Sequence, residues 1–361
     1  MPVGGRRAQR GFHIMTRKER VRLAITHQQP DKVPWSLGLT HHAVKALADY
    51  VGDPRLADPA YLGEWGGEHL GGVAPESPGQ FHGLEEEVAP GLWRDGWGIV
   101  WDTRGLFGEG EWGRPINCAL PEPNLDRFTF PKPPAPEAYA HYPQAIGALG
   151  DRFILGHEGH LFELAWALRG MENFFMDMAL RPAFVDELLA GITDYYLAMI
   201  DQSVQYGIDA FTFGEDWGSQ NKGLMMGPKL WRRFLKPCLA KMFARVKAAG
   251  KFVHIHSDGD VSAIFEDLIE IGLDVYNPFQ PEIMDVYALK KQYGDRLCFH
   301  GGLGIQSLLP FGAPQEVKAE VRRLIREVGA GGGYILSPSH AVLTDVPPQN
   351  VMAMIEALQE Q

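Results

Sequence analysis

The chain has 361 residues, of which 45% are hydrophobic and 22% are charged, and its formal net charge is −11. This composition is typical of a globular protein with a sizeable core, and the length allows one large domain or two ordinary ones. The acidic balance excludes a protein that concentrates Lys and Arg against nucleic-acid phosphates. The sequence contains no run of about eighteen apolar residues, so no membrane span is predicted. The three cysteines are odd in number and far apart, which favours a reducing, cytoplasmic setting.

The first third of the chain carries few clear elements. Residues 1–15 include the basic stretch "GGRRAQR" and have too few apolar residues for a signal peptide, so we expect a disordered leader before one domain over 16–361. The run 31–38 is typical of a first strand, and a second strand lies at either 68–73 or 96–101. Residues 75–135 are rich in Gly, Pro and Trp and predict an irregular insertion that covers the active site as a lid.

From about residue 137 the pattern becomes regular. Short apolar runs alternate with longer segments of helical periodicity, which predicts parallel strands joined by helical crossovers. Six such runs occur, at 152–157, 208–214, 251–256, 273–278, 296–302 and 332–338. Together with the two strands of the first third they make eight, and the fold class predicted is α/β, a (β/α)8 TIM barrel.

Titratable and polar residues concentrate where these runs end. In a (β/α)8 barrel the active site lies at the carboxyl ends of the strands, where burial shifts pKa values toward those useful for acid–base chemistry. The candidate acid–base residues are Glu158, Glu215, Asp216 and His340. The candidate substrate-binding residues are His157, Trp217, Gln220, Asn277 and His300.

Several of these residues also have a structural interpretation. His254 lies two residues before His256, so both face one side of a regular strand and His254 could be a hydrogen-bonded core residue. The segment "SDG" at 257–259 is a common turn in which Asp258 bonds its own backbone. The carboxylates of "EDW" at 215–217 could cap the next helix, and Trp217 could pack in the core.

Four segments resemble the uroporphyrinogen decarboxylase superfamily: "HSDGDV", "GEDWGSQ", "DVYNPFQPEIMD" and "SPSHAVLTDVPPQNVMAMIEAL". The resemblance runs from about residue 17 to the C-terminus. The family's Gly-His pair, followed by Pro-Pro-Glu-Asn, matches "SHAVLTDVPPQN" and places His340 at the family histidine. The family's Asp-Ser-Trp-Ala-Gly segment places Glu215 at its Asp.

One departure counts against decarboxylation of uroporphyrinogen itself. Decarboxylases of this family carry an Arg-Gln-Ala-Gly-Arg motif after the first strand, and its arginines hold the carboxylates of the tetrapyrrole. The same place here reads "SLGLTHHAVK", residues 36–45, with no arginine. A substrate with many carboxylates needs fixed cationic forks, so a different substrate is expected.

The corrinoid-dependent methyltransferases of the superfamily are similar as well. They bind zinc through a His-x-Cys motif and a distant Cys, which by this resemblance correspond to His256, Asp258 and His340. The resemblance implies a catalytic zinc with three protein ligands and an open fourth position. Exchanging thiolates for Asp and His makes the donor set harder, which favours oxygen-containing substrates and other divalent ions beside zinc.

Two classes of enzyme follow from the resemblance. The first is a metal-assisted methyltransferase that moves a methyl group between a small O- or S-methyl substrate and a corrinoid carried by a partner protein, with Glu158, Glu215 or Asp216 as the acid. The alternative is a decarboxylase without cofactor, in which His340 and Glu215 act as acid and base on a carboxylated substrate. A non-catalytic binding barrel fits the titratable strand ends least, and the sequence leaves both a monomer and a homo-oligomer open.

Overall fold

The computed structural model describes residues 15–76, 84–104 and 113–361. Its centre is a curled sheet of seven parallel strands in the order β1-β6-β7-β8-β9-β10-β11. The strands are β1 Leu70–Val73, β6 Phe153–Gly159, β7 Ala210–Gly214, β8 Phe252–His256, β9 Val275–Phe279, β10 Cys298–Leu303 and β11 Tyr334–Pro338. The seven strands lie side by side in their order along the chain, and β2 to β5 belong to a separate sheet. Each crossover therefore advances by one strand, as in a barrel.

All six strands predicted after residue 137 are present as β6 to β11. The uncertain second strand is the earlier of the two alternatives, since β1 falls within 68–73 and pairs with β6. The stretch 96–101 belongs to a separate antiparallel sheet. These runs form strands because they are short, apolar and buried on both faces, which is the pattern of a parallel sheet covered by helices.

The predicted first strand, 31–38, is a short extended segment that contacts both outer strands of the sheet. Trp35 forms a parallel bridge with Leu336 of β11, and the backbone N–H of Ser36 donates to the Leu336 carbonyl at 3.1 Å. On the other side, the N–H of His69, just before β1, donates to the Trp35 carbonyl at 3.0 Å. One segment therefore links the two ends of the curled sheet.

Helices pack around the sheet. They are α1 Arg17–Ile25, α2 His41–Val51, α3 Pro59–Trp65, α4 Tyr142–Ala148, α5 Leu161–Arg169, α6 Met171–Leu180, α7 Pro182–Ser203, α8 Gly227–Ala248, α9 Phe265–Glu270, α10 Val286–Tyr293, α11 Leu308–Phe311, α12 Pro314–Glu327 and α13 Pro348–Gln359. Proline opens several of them, because its missing N–H costs nothing in a first turn. Within the described residues no helix is both long and apolar enough to cross a membrane.

The predicted insertion, 75–135, is more ordered than its composition indicated. Its described part contains a four-stranded antiparallel sheet of β2 Leu84–Ala89, β3 Leu92–Asp95, β4 Val100–Asp102 and β5 Arg114–Pro115. The Trp97 ring packs against Tyr195 of α7, with ring centroids 4.9 Å apart. Short strands with mixed charged and apolar residues gave too little periodicity for the sequence to predict them. The lid role stays a prediction, and residues 1–14 of the expected leader lie outside the described residues.

Candidate metal centre at the carboxyl ends of the strands

Three side chains with metal-binding atoms meet beyond the carboxyl-terminal edge of the sheet. His256 is the last residue of β8, Asp258 follows two residues later, and His340 follows β11. One atom of each lies within 4.8 Å of the atoms of the other two. The Asp258 carboxylate lies between the imidazoles, with Oδ1 3.7 Å from His256 Nε2 and Oδ2 3.7 Å from His340 Nε2. The two ligands expected from one strand and the third from a distant one therefore converge.

A hydrogen bond donated to Asn277 fixes the orientation of His256. His256 Nδ1 lies 2.6 Å from Asn277 Oδ1, and Asn277 Nδ2 donates to the His300 carbonyl at 3.0 Å. Because the amide nitrogen is engaged with a carbonyl, the amide oxygen must accept the His256 Nδ1 proton. In the neutral imidazole, this tautomer leaves the lone pair on Nε2, the nitrogen on the side of Asp258, as is usual for metal-binding histidines.

The turn that carries Asp258 is held by the neighbouring loop. Asp216 Oδ1 accepts a hydrogen bond from the Asp258 backbone N–H at 2.9 Å. Gly259 has φ of 80°, and a Cβ added there would lie 2.2 Å from the Gly218 carbonyl carbon. Only glycine fits this left-handed, closely packed position. Residues 257–259 therefore form the turn that "SDG" predicted. The side chain of Asp258 faces outward to the two histidines.

The donor set fits a divalent metal ion. Two imidazole nitrogens and one carboxylate suit zinc and related ions, and three protein ligands leave room for a substrate or water. The side chains are 32%, 26% and 29% exposed for His256, Asp258 and His340. Burial lowers the pKa of His340, although the Asp258 carboxylate opposes this change, and the neutral imidazole that a metal requires is favoured.

Glu215, a candidate acid, is placed differently from its neighbours. Its side chain is completely buried. Oε1 accepts the N–H of Leu161 at 2.6 Å, and Oε2 accepts the N–H of Phe162 at 2.8 Å. Burial raises the pKa of Glu215 to about 8, while these two backbone donors oppose the change. Glu215 therefore caps the start of α5, which precedes it in the chain, and not the next helix as expected from the sequence.

Two candidate substrate-binding residues are also buried. The Trp217 ring is inaccessible, packs against Trp231 with ring centroids 5.4 Å apart and donates to Glu215 Oε2 at 3.2 Å. His300 Nδ1 lies 3.1 Å from His254 Nε2, and His300 Nε2 lies 2.9 Å from Ser36 Oγ. Trp217 and His300 therefore stabilise the interior beneath the site, and His254 is the hydrogen-bonded core histidine that its spacing allowed.

The remaining candidates line the same edge of the sheet. Asp216 is 4.0 Å from His256 Nε2, and burial raises its pKa to about 6, helped by the nearby Glu163 carboxylate. His157 is exposed on β6, and the side chain of Glu158 lies outside the described residues. Gln220 is exposed and accepts hydrogen bonds from Gln280 and Gln306. Their roles in binding and catalysis stay predictions.

One ion pair at this edge was not predicted from the sequence. His160 Nδ1 lies 2.7 Å from Glu163 Oε2 in the first turn of α5. Burial alone would lower the pKa of His160, but the hydrogen bond and charge of Glu163 outweigh it and raise the pKa to about 9. The spacing of three residues at a helix start was the available signal, because side chains three apart on a helix are neighbours.

In sequence, the chain is similar to proteins described as uroporphyrinogen decarboxylases. The family model described as "Uroporphyrinogen decarboxylase (URO-D)" matches residues 150–361. A uroporphyrinogen decarboxylase of Methylococcus capsulatus is 26% identical over 282 residues, covering 72% of this chain and 75% of the relative. A uroporphyrinogen decarboxylase of Chromohalobacter salexigens is 26% identical over 199 residues, covering 51% of this chain and 49% of the relative.

Among solved structures, a methyltransferase from Methanosarcina mazei has a similar fold. Its TM-score is 0.71 at 21% sequence identity, with 96% of this chain and 99% of the other covered. At this identity the similarity establishes the fold alone. The two sets of relatives thus carry different activity names on one architecture, and the choice between those activities depends on the residues at the site.

Proposed function

Because the chain belongs to the uroporphyrinogen decarboxylase family, we propose that it is an enzyme of that family specialised in metal-assisted methyl transfer. The substrate is a small O- or S-methyl compound, and the acceptor or donor is a corrinoid on a partner protein. The observation that carries this proposal is the convergence of His256, Asp258 and His340 around one point, with an Asn277 hydrogen bond that orients His256 for ligation.

The metal, with zinc as first choice, would be held by these three side chains and would act as a Lewis acid on the oxygen or sulfur of the substrate. The chain's own residues do the rest. Asn277 and Asp216 hold the ligands in place, through the His256 ring and the Asp258 backbone respectively. The half-buried position of the site limits the access of water, which strengthens electrostatic interactions with the substrate.

We assign the surrounding architecture as follows. The segment 33–39, bonded to both outer strands, is the eighth element that closes the (β/α)8 barrel. The insertion 75–135 covers the carboxyl-terminal mouth, and a corrinoid protein docks there to reach the substrate. These assignments follow the usual position of active sites in such barrels.

The first segment also bears on substrate choice. Ser36 is engaged with His300, and a Cβ on Gly38 would lie 4.0 Å from the His340 carbonyl. Residues 36–45 therefore run beside the proposed metal centre and bring no arginine to it. A polycarboxylate would meet Asp216 and Asp258 there without an arginine fork from residues 36–45, so uroporphyrinogen fits poorly.

The decarboxylase alternative loses one of its two named residues. It required Glu215 as an acid or base beside His340, but Glu215 is buried and bonded to the α5 backbone. His340 alone would have to protonate the product carbon. The geometry around His340 favours the metal-binding role, since the Asp258 carboxylate lies between it and His256.

The test is a transfer assay with zinc-loaded protein, free methylcobalamin as methyl donor and 2-mercaptoethanol as acceptor. We expect loss of the methyl–cobalt absorbance and formation of the methyl thioether, both abolished by Asp258→Asn. Uroporphyrinogen is assayed in parallel and should not be turned over. Decarboxylation of uroporphyrinogen by metal-free protein, without any methyl transfer, would reject the proposal.

A further inference from the structure

The ion pair between His160 and Glu163 lies beside the proposed metal centre, although no ligand of that centre is involved. His160 follows β6 directly, and its ring lies against Gly214 at the end of β7. A Cβ on Gly214 would be 2.4 Å from His160 Cε1 and Nδ1. Gly214 is the register partner of His256 in the next strand. Adjacent strands are about 4.8 Å apart, so the His160 ring sits one strand away from the metal ligand.

The pair is built so that one nitrogen is held and the other is available. Nδ1 is engaged by Glu163, whereas Nε2 has no hydrogen-bond partner among the described residues. The His160 side chain is 55% exposed. An imidazole held by a carboxylate at Nδ1 and open at Nε2 is the arrangement that orients histidine for proton transfer.

We propose, on the basis of the proposed methyl transfer, that His160 is the proton donor for the oxygen or sulfur that loses the methyl group. The carbon–oxygen or carbon–sulfur bond breaks, and its electron pair stays on the heteroatom. The corrinoid nucleophile supplies the electron pair of the new bond to the methyl carbon. The heteroatom takes the proton from His160 Nε2, which leaves a neutral imidazole, and Glu163 remains ionised throughout.

The electrostatic surroundings support the protonated form before the reaction. The groups that face His160 are Glu163 on its own helix, Glu215 and Asp216 after β7, and Tyr196 on α7. The ionised Glu163 carboxylate is the main group that favours a cationic imidazole, and Asp216 acts in the same direction when it is ionised. Because the folded-state pKa is raised to about 9, the proton is present at neutral pH and is lost as pH rises through that value.

The pair has a simpler interpretation as an ion pair that stabilises the start of α5, which the experiment must separate. The probe is 2-mercaptoethanol, whose thiolate stands for the anion released by the substrate. Its binding to cobalt-loaded protein is followed by the thiolate-to-cobalt absorbance from pH 6 to 10. Wild type should bind the probe with an alkaline limb near pH 9, because a charge-assisted hydrogen bond from His160 is lost there.

Four variants decide the question. His160→Gln should weaken thiolate binding about tenfold or more and remove the alkaline limb. Glu163→Gln should move that limb to lower pH, and Gly214→Ala should weaken binding by displacing the ring. Arg245→Gln, which removes an exposed ion pair with Asp201 between α8 and α7, is the control and should behave as wild type.

Cobalt uptake is measured first, because it tests the proposed metal centre separately from the role of His160. No uptake by wild type rejects the metal centre. Normal uptake with unchanged thiolate affinity and pH limb in His160→Gln overturns the role of His160, as does an unchanged limb in Glu163→Gln.

Discussion

Two histidine pairs lie near the carboxyl ends of the strands, and their internal geometry is nearly the same. The ring centroids are 5.4 Å apart for His254 and His300 and 5.6 Å apart for His256 and His340. His254 and His256 even leave the same strand on the same side, two residues apart. The first pair is buried and the second is about one-third exposed.

The difference lies in what occupies the ring nitrogens. In the buried pair all four nitrogens are engaged, by Thr212, by Ser36 and by each other. In the exposed pair the Asp258 carboxylate lies between the two Nε2 atoms without forming a hydrogen bond to either. Histidines whose ring nitrogens are all bonded internally stabilise the fold, whereas histidines that share a carboxylate at the edge of the sheet are candidate metal ligands.

The largest effect is expected when a candidate metal ligand of the exposed pair is removed. His256→Ala should weaken zinc affinity by on the order of a hundredfold or more, because one of three protein ligands is lost. Its unfolding curve without metal should stay close to that of wild type, since the ring is partly exposed. Competition titration against a chromogenic chelator measures the affinity, and wild-type affinity in the variant would contradict the assignment.

The matching change in the buried pair should act on stability. His300→Ala leaves His254 Nε2 and Ser36 Oγ unpaired in the interior and creates a cavity, which costs about 2–4 kcal/mol of unfolding free energy. Zinc affinity should change little, because Asn277 bonds the backbone carbonyl of residue 300. Urea denaturation of the metal-free protein is the measurement. A large loss of zinc affinity with unchanged stability would reverse the two roles.

Asn277 connects the two pairs and should give an intermediate effect. Asn277→Ala frees the His256 ring to rotate and to change tautomer, so zinc affinity should fall by roughly 10- to 100-fold. The same chelator titration detects it. Asn277→Asp is the paired variant, because its carboxylate keeps the acceptor for His256 Nδ1 and should retain more affinity than Ala. Equal affinities in the two variants would remove Asn277 from the site.

The smallest effect is expected at Trp217. Trp217→Phe deletes the donor to Glu215 and leaves a small void beside Trp231, at a cost of about 1–2 kcal/mol in unfolding free energy. Thiol-probe and zinc affinities should remain within a factor of two or three of wild type. A specific loss of probe binding at normal stability would restore the substrate-binding role.

The sequence predicted the sheet well because buried parallel strands have short apolar sequences. This pattern alone predicted β6 to β11. It brought together the candidate metal ligands through spacing and family resemblance. It did not predict which carboxylate accepts hydrogen bonds from backbone N–H groups, because the capping of α5 by Glu215 joins residues 54 positions apart. Neither the small antiparallel sheet nor the His160–Glu163 pair carried a strong enough local pattern.

The most direct test of the central claim is the metal content of the purified wild-type protein, measured by elemental analysis before and after zinc titration. We expect about one divalent ion per chain that resists dialysis, with parallel loss in the His256→Ala, Asp258→Ala and His340→Ala variants. A protein that holds no stoichiometric metal as purified, takes up none on titration and keeps its activity in chelator would contradict it.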